Sequence, residues 1–191
     1  MSTMIDAVVA EAFEVLRRGG VILYPTDTVW GIGCDATNEA AVARVFEIKR
    51  RSEAKSLVLL ACDLDMIAKH IKVIPQIAID LVEVNDAPMT IIYPGAQYLA
   101  PNVVAEDGSV GIRIPRNEFC VKLVRKLRRP LVSTSANISG EPTPSCFAEI
   151  SPEIVEAVDY VVPASLERES TGRASQIIKL GLRGEVEIIR P

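Results

Sequence analysis

Three polar stretches of the chain carry side chains able to do chemistry. The first is Pro25-Thr26-Asp27-Thr28-Val29-Trp30-Gly31-Ile32-Gly33, where threonine hydroxyls and a carboxylate follow a short apolar run. The second, Lys49-Arg50-Arg51-Ser52-Glu53-Ala54-Lys55, crowds cations ahead of another apolar run. Such a cluster suits a polyphosphate, because the positive charges neutralise oxyanions and stabilise the charge that builds on a leaving pyrophosphate. Cations are also favoured at a helix C-terminus by the macrodipole, so the cluster admits both uses. The third stretch, Leu131-Val132-Ser133-Thr134-Ser135-Ala136-Asn137-Ile138-Ser139-Gly140-Glu141-Pro142, sets hydroxyls and an amide in succession. These donors and acceptors could hold a small polar ligand or phosphate oxygens, or could simply serve a Ser/Asn-rich turn.

Several familiar chemistries fail on the residues. No GxxxxGK[ST] phosphate loop occurs. Gly31, Gly33 and Ala36 fit GxGxxA, but Pro25 through Trp30 separate them from the preceding strand, whereas a dinucleotide fingerprint opens at the strand end. No GxSxG surrounds Ser133 or Ser135, and His70 is the single histidine, which rules out a multi-histidine metal site and leaves no obvious base for a serine nucleophile. The four cysteines, Cys34, Cys62, Cys120 and Cys146, form no CxxC pair and read as reduced thiols.

The elements that must position these stretches follow from periodicity. Ile5, Val8, Val9, Ala12, Phe13 and Leu16 form a helical stripe that Gly19-Gly20 terminates. Val21 to Tyr24 reads as a strand, and the residues from Thr26 to Gly33 as a loop. Asn38 caps a helix that runs into Lys49-Arg50-Arg51. Further strands are expected over 57–61, 89–93, 110–114, 131–133, 160–162, 176–180 and 186–189, and helices over 63–72, 75–84, 117–127 and 152–157. Strands and helices intermingle, which argues an α/β sheet covered by helices.

Length and composition agree with one globular domain spanning 1–191: 49% hydrophobic and 24% charged residues allow a sizeable core. The net charge of -4 gives no global basic field for non-specific nucleic-acid binding. The N-terminus lacks the basic start and apolar run of a signal peptide, and no apolar run approaches the ~20 residues that span a bilayer, so a cytoplasmic protein without membrane contact is expected.

Together the stretches resemble the YrdC-like family in their order and rough spacing. The matching segments are YPTDTVWGIGCDA at Tyr24 to Ala36, IKRRSEAKSL at Ile48 to Leu57, SVGIRIP at Ser109 to Pro115 and PLVSTSANISGEP at Pro130 to Pro142. Ala87-Pro88-Met89-Thr90 stands where that family often has Gly-Pro-x-Thr. The resemblance implies a twisted mixed sheet flanked by helices with a positively charged concave face, in the short single-domain bacterial form. It implies a nucleotidyltransferase that makes threonylcarbamoyl-AMP and pyrophosphate from L-threonine, bicarbonate and ATP, for N6-threonylcarbamoyladenosine modification of tRNA.

By the same resemblance Lys49, Arg51, Lys55, Ser135, Asn137 and Arg190 would contact ATP, and Thr26, Thr28, Arg113, Ser133 and Ser175 would surround threonine. No dedicated acid or base is implied, since positioning and charge neutralisation suffice. Mg²⁺ would ride on the nucleotide phosphates, and the product would pass to downstream threonylcarbamoyl transferase proteins. The rival reading is a double-stranded RNA- or tRNA-binding relative without synthase activity, for which Lys122, Arg125, Lys126, Arg128 and Arg129 form a candidate phosphate-contacting cluster.

Overall fold

The computed structural model describes residues 2–52, 57–168 and 170–191. Its first helix, α1 (Ser2–Arg17), stops where the glycine pair demands: Gly19 takes φ +80, and the N–H groups of Gly19 and Gly20 donate to Leu16 O and Val15 O, both at 2.9 Å. The caps read from the sequence are present. Asn38 Oδ1 accepts from Ala41 N at 3.0 Å to open α2 (Glu39–Lys49), and Asn117 Oδ1 accepts from Cys120 N at 3.1 Å to open α5 (Glu118–Leu127). Between them lie α3 (Leu64–His70) and α4 (Gln76–Val84), and α6 (Pro152–Ala157) follows. No helix among the described residues is long and apolar enough to cross a membrane.

Ten strands among the described residues divide between two mixed sheets, where a single sheet was expected. The smaller runs β7 (Thr134–Ser135), β2 (Gly31–Gly33), β1 (Ile22–Tyr24), β8 (Tyr160–Val161). The larger runs β10 (Val186–Arg190), β9 (Gln176–Leu180), β4 (Met89–Tyr93), β5 (Val110–Arg113), β3 (Val58–Leu60), β6 (Leu131–Val132). β3 pairs with β5 and β4 with β9 in parallel, and β1 with β8 likewise; the other pairs are antiparallel.

β2 is a strand where the sequence reads as loop. Glycines normally weaken strands, but here they let other groups approach closely. A Cβ on Gly33 would sit 2.3 Å from Val132 O and 2.7 Å from the Tyr24 ring, so no other residue fits without rebuilding the sheet.

The segment 131–135 joins the two sheets. Leu131–Val132 pairs with β3 in the large sheet, and Thr134–Ser135 pairs with β2 in the small one. Ser133 sits at the crossover, its N–H donating to Val58 O at 2.8 Å. Burial alternates through the segment: Val132, Thr134, Ala136 and Ile138 are buried, while Ser133, Ser135, Asn137 and Ser139 are half-buried. The apolar side thus enters the core and the polar side is left for a site.

The core is one cluster across both sheets and their helices. On α1, Val8, Val9, Ala12 and Leu16 are buried, and on the packed α5, Phe119, Leu123, Val124 and Leu127. Burying each of the larger of these side chains contributes about 1.5–3 kcal/mol, which holds the frame behind the polar segment.

Candidate functional site

A cavity of about 340 Å³ lies where the sheets meet. It takes Gly31 from β2, Thr134 and Ser135 from β7, Val58 from β3, Thr90 from β4, Gly111 and Arg113 from β5 and Arg190 from β10. Of the residues expected at a site, Thr28, Arg51, Arg113, Ser133, Ser135, Ser175 and Arg190 line it. A wider, open depression of about 700 Å³ lies elsewhere, over Asp35, Thr37, Asn38 and Arg129. Arg129 and Asp35 form an ion pair there at 2.8 Å, and it gathers none of the residues expected around ATP or threonine.

One wall is organised by Arg113. The side chain leaves the end of β5 and is buried, with Nη1 donating to Asp27 Oδ1 at 2.6 Å. Nη2 donates to Thr28 Oγ1 at 3.0 Å and Thr26 Oγ1 at 3.2 Å. The loop after β1 is folded to meet it: Thr26 Oγ1 accepts from Thr28 N at 3.0 Å and donates to Val29 O at 2.8 Å, and Asp27 Oδ2 accepts from Arg116 N at 3.1 Å. Thr26 is therefore a second layer behind Thr28. Asp27 escaped the sequence reading as a site residue, although its place between the two threonines was the available signal.

The opposite wall descends from α2. Arg50, the C-cap, adopts φ 49, and the N–H groups of Arg50 and Arg51 donate to Glu47 O and Phe46 O, both at 3.0 Å. This left-handed turn sends Lys49 and Arg51 different ways. Arg51 lines the cavity, and burial pulls its pKa below the usual guanidinium value. Lys49 turns inward, its Nζ donating to Ser135 O and to Asn137 O at 2.8 Å. Burial first, and then the Arg51 charge, lower its pKa to about 8. The Asn137 amide closes its own turn, donating to Glu141 O at 2.8 Å and Ile138 O at 3.1 Å. Lys49 and Asn137 thus sit behind the cavity wall, and Lys55 lies outside the described residues.

The C-terminal segment forms the third side. Ser175 is buried, its Oγ 2.7 Å from Thr90 Oγ1, and its carbonyl accepts from Arg190 Nε at 2.8 Å. The loop before it is stitched onto the first wall: Thr171 N donates to Asp27 O at 3.0 Å and Gly172 N to Thr28 O at 2.9 Å. Thr90 was missed as a site residue because a threonine inside a strand reads as ordinary packing.

Three of the five basic residues on and just after α5 are engaged within the protein. Lys122 pairs with Asp6 at 2.8 Å and Glu118 at 3.0 Å, Lys126 lies 5.1 Å from the centre of the Phe13 ring, and Arg129 holds Asp35. These cations already have partners, which weakens the case for an RNA surface there.

A mixed α/β frame whose sheets meet over a cleft of hydroxyls and guanidinium groups belongs to a small-molecule-binding protein for polar, anionic ligands. The family model Sua5_yciO_yrdC, described as "Telomere recombination", matches residues 14–191, and the chain belongs to this family, as its four sequence stretches imply. A threonylcarbamoyl-AMP synthase of Stenotrophomonas maltophilia (strain K279a) is 35% identical over 179 residues, 92% of this chain and 94% of the relative. A double variant of Sua5 from P. abyssi superposes with a TM-score of 0.87 at 27% identity over 96% of this chain. P. abyssi Sua5 complexed with L-threonine superposes with a TM-score of 0.83 at 27% identity over 90%. This chain spans 56% and 50% of those two longer chains.

Proposed function

We infer that this chain is an L-threonylcarbamoyladenylate synthase, converting L-threonine, bicarbonate and ATP into threonylcarbamoyl-AMP and pyrophosphate. The observation that carries the reading is the meeting of Thr28, Arg113, Ser133 and Ser175 with Arg51, Ser135 and Arg190 around one cavity. The likeness to curated synthases over nearly their whole length supports it.

Threonine takes the Arg113 wall. Its carboxylate pairs with the guanidinium, whose five N–H donors allow some to remain for a ligand while Asp27 and Thr28 hold its plane. Thr28, Ser133 and Ser175 supply hydroxyls for the amino acid's polar groups, and Thr26 orients Thr28. The triphosphate takes the other wall, against Arg51, Ser135 and Arg190, with Lys49 and Asn137 shaping the turn that carries Ser135.

The threonine amine and bicarbonate give a carbamate with loss of water. A carbamate oxygen then attacks the α-phosphorus, the bond to the β-phosphate bridging oxygen breaks, and pyrophosphate leaves with the electron pair. The product is a mixed carbamic–phosphoric anhydride. Alignment and neutralisation of developing charge on the pyrophosphate account for the rate, so no side-chain base is needed. Mg²⁺ would come with the nucleotide phosphates and add to the neutralisation of their charge; the described residues lining the cavity offer hydroxyls and cations rather than carboxylates to hold it directly. The reactive anhydride then serves the transferase proteins that modify tRNA.

The test is to incubate the chain with ATP, Mg²⁺, bicarbonate and isotopically labelled threonine and to follow products by mass spectrometry. Threonine-dependent pyrophosphate together with labelled threonylcarbamoyl-AMP is expected. Neither product, with tight salt-sensitive RNA binding, would favour the binding relative instead.

A further inference from the structure

Lys49 does not line the cavity, although it ends the helix that delivers Arg51 to it. It is 1% exposed, and among the described residues it forms no ion pair. Instead its ammonium collects Ser135 O, Asn137 O at 2.8 Å and, at the limit of hydrogen-bonding distance, Asn137 Oδ1 at 3.5 Å. The clasp is closed from the other direction, where Ser139 N donates to Lys49 O at 2.8 Å. That last contact also satisfies one of the carbonyls left without a partner at a helix C-terminus.

Carbonyl dipoles converging on one point repel one another unless a cation or donor sits between them. The ammonium thus ties Ser135 to Asn137, beside the turn's own bonds from Asn137 N to Ser135 O at 2.9 Å and from Glu141 N to Ile138 O at 3.0 Å. The left-handed Arg50 ensures the division of labour, because the residue before it faces the turn and the residue after it faces the ligand space.

We propose that Lys49 is a positioning residue: it acts on both substrates through the Ser135–Ser139 turn and does not itself touch a phosphate. The proposal rests on the reading of this cavity as the nucleotide and threonine site. Ser133, at the crossover, and Ser135, on β7, flank Thr134 in one short segment, so a loosened turn displaces the hydroxyls of both walls together. A direct phosphate ligand would affect the nucleotide alone.

Two measurements on the full chain decide it. In the ligand-free wild type, amine acylation read by mass spectrometry should leave Lys49 about ten-fold or more less modified than the exposed Lys69 and Lys72, and added pyrophosphate should not change that ratio. In Lys49→Met, amide hydrogen exchange across 133–141 in the ligand-free protein should quicken by about ten-fold, with ATP and threonine affinities falling together. Free acylation of Lys49 that pyrophosphate suppresses would overturn the proposal. So would a Lys49→Met protein that loses pyrophosphate affinity while its turn and its threonine affinity are unchanged. Should that variant fail to fold, the acylation experiment on the wild type decides alone. A wild type that shields Lys49 yet forms no threonylcarbamoyl-AMP would sink the synthase reading and leave the clasp standing.

Discussion

Arg113, which lines the cleft, and Lys49, behind its wall, are both buried cations, 4% and 1% exposed, and the protein neutralises them by different means. Arg113 meets a full carboxylate charge on Asp27, itself tied to the backbone at Arg116 and bracketed by two hydroxyls of the same loop. Lys49 meets carbonyl oxygens, which carry partial charge, at the end of β7 and in the turn that follows it. A carboxylate stabilises the ion strongly and fixes the partner loop. Carbonyls stabilise it less, and the uncompensated cost of desolvation appears as a pKa lowered to about 8. The Arg113 wall is therefore set by ionic locking, and the turn that carries Ser135 by a weaker clasp.

The comparison breaks most sharply at Asp27. Replacing it by alanine leaves Arg113 buried without its counter-charge, and removal of one partner of a buried pair costs about 3–5 kcal/mol. Chemical denaturation of Asp27→Ala should show a loss of that size; a loss under about 1 kcal/mol would mean the ion pair is not what fixes this wall.

The lysine wall predicts a dependence on pH instead. Unfolded, Lys49 keeps its proton to the ordinary value of 10.5, whereas folded it loses it near 8. Between these values the unfolded chain binds more protons, so this group's contribution to stability rises with pH, by at most about 1.4 kcal/mol per unit. Below pH 8 both forms are protonated and the slope vanishes. Subtracting the urea-unfolding stability of Lys49→Met from that of the wild type isolates this contribution. A difference that stays flat from pH 8 to 10.5 would show that Lys49 keeps an ordinary pKa in the fold.

The smallest effect concerns the side where the walls meet the C-terminal strands. Thr90→Val keeps the shape but removes the hydroxyl that holds Ser175, at a cost of about 1 kcal/mol. A threonine KM raised several-fold, restored in Thr90→Ser, is expected; an unchanged KM would assign Thr90 to packing alone.

Much of this was legible in the sequence where the signal is local. The helical stripe of α1, the Asn38 and Asn117 caps and the runs that became β3, β4, β5 and β9 depend on spacing within a window, and they formed close to their expected bounds. What stayed hidden depends on distant partners. Gly31 and Gly33 form a strand because β1 and β7 pair with it, and the close approach of Val132 O and the Tyr24 ring to Gly33 is written in no local propensity. The division into two sheets turns on Ser133, where the chain changes partners without any breaker residue.

The site shows the same split. Thr28, Ser133 and Ser135 stand in stretches whose polarity marks them, Arg113 is reached only through the family resemblance, and all four line one cavity. The inward turn of Lys49 was invisible because it follows from the left-handed conformation of Arg50, an arginine that nothing in the sequence marks as a turn residue. Asp27 and Thr90 were hidden for a related reason: their value lies in partners on β5 and at Ser175, far along the chain.

The most direct test of two walls for two substrates is to measure threonine and ATP binding separately by calorimetry on Arg51→Ala and Thr28→Val. Loss of a charge-assisted contact is worth about 1.5–3 kcal/mol, so Arg51→Ala should weaken ATP by roughly 10- to 100-fold while leaving threonine within about two-fold. Thr28→Val should do the reverse, weakening threonine and sparing ATP. ATP affinity unchanged in Arg51→Ala, or both ligands weakened alike by both substitutions, would contradict the account.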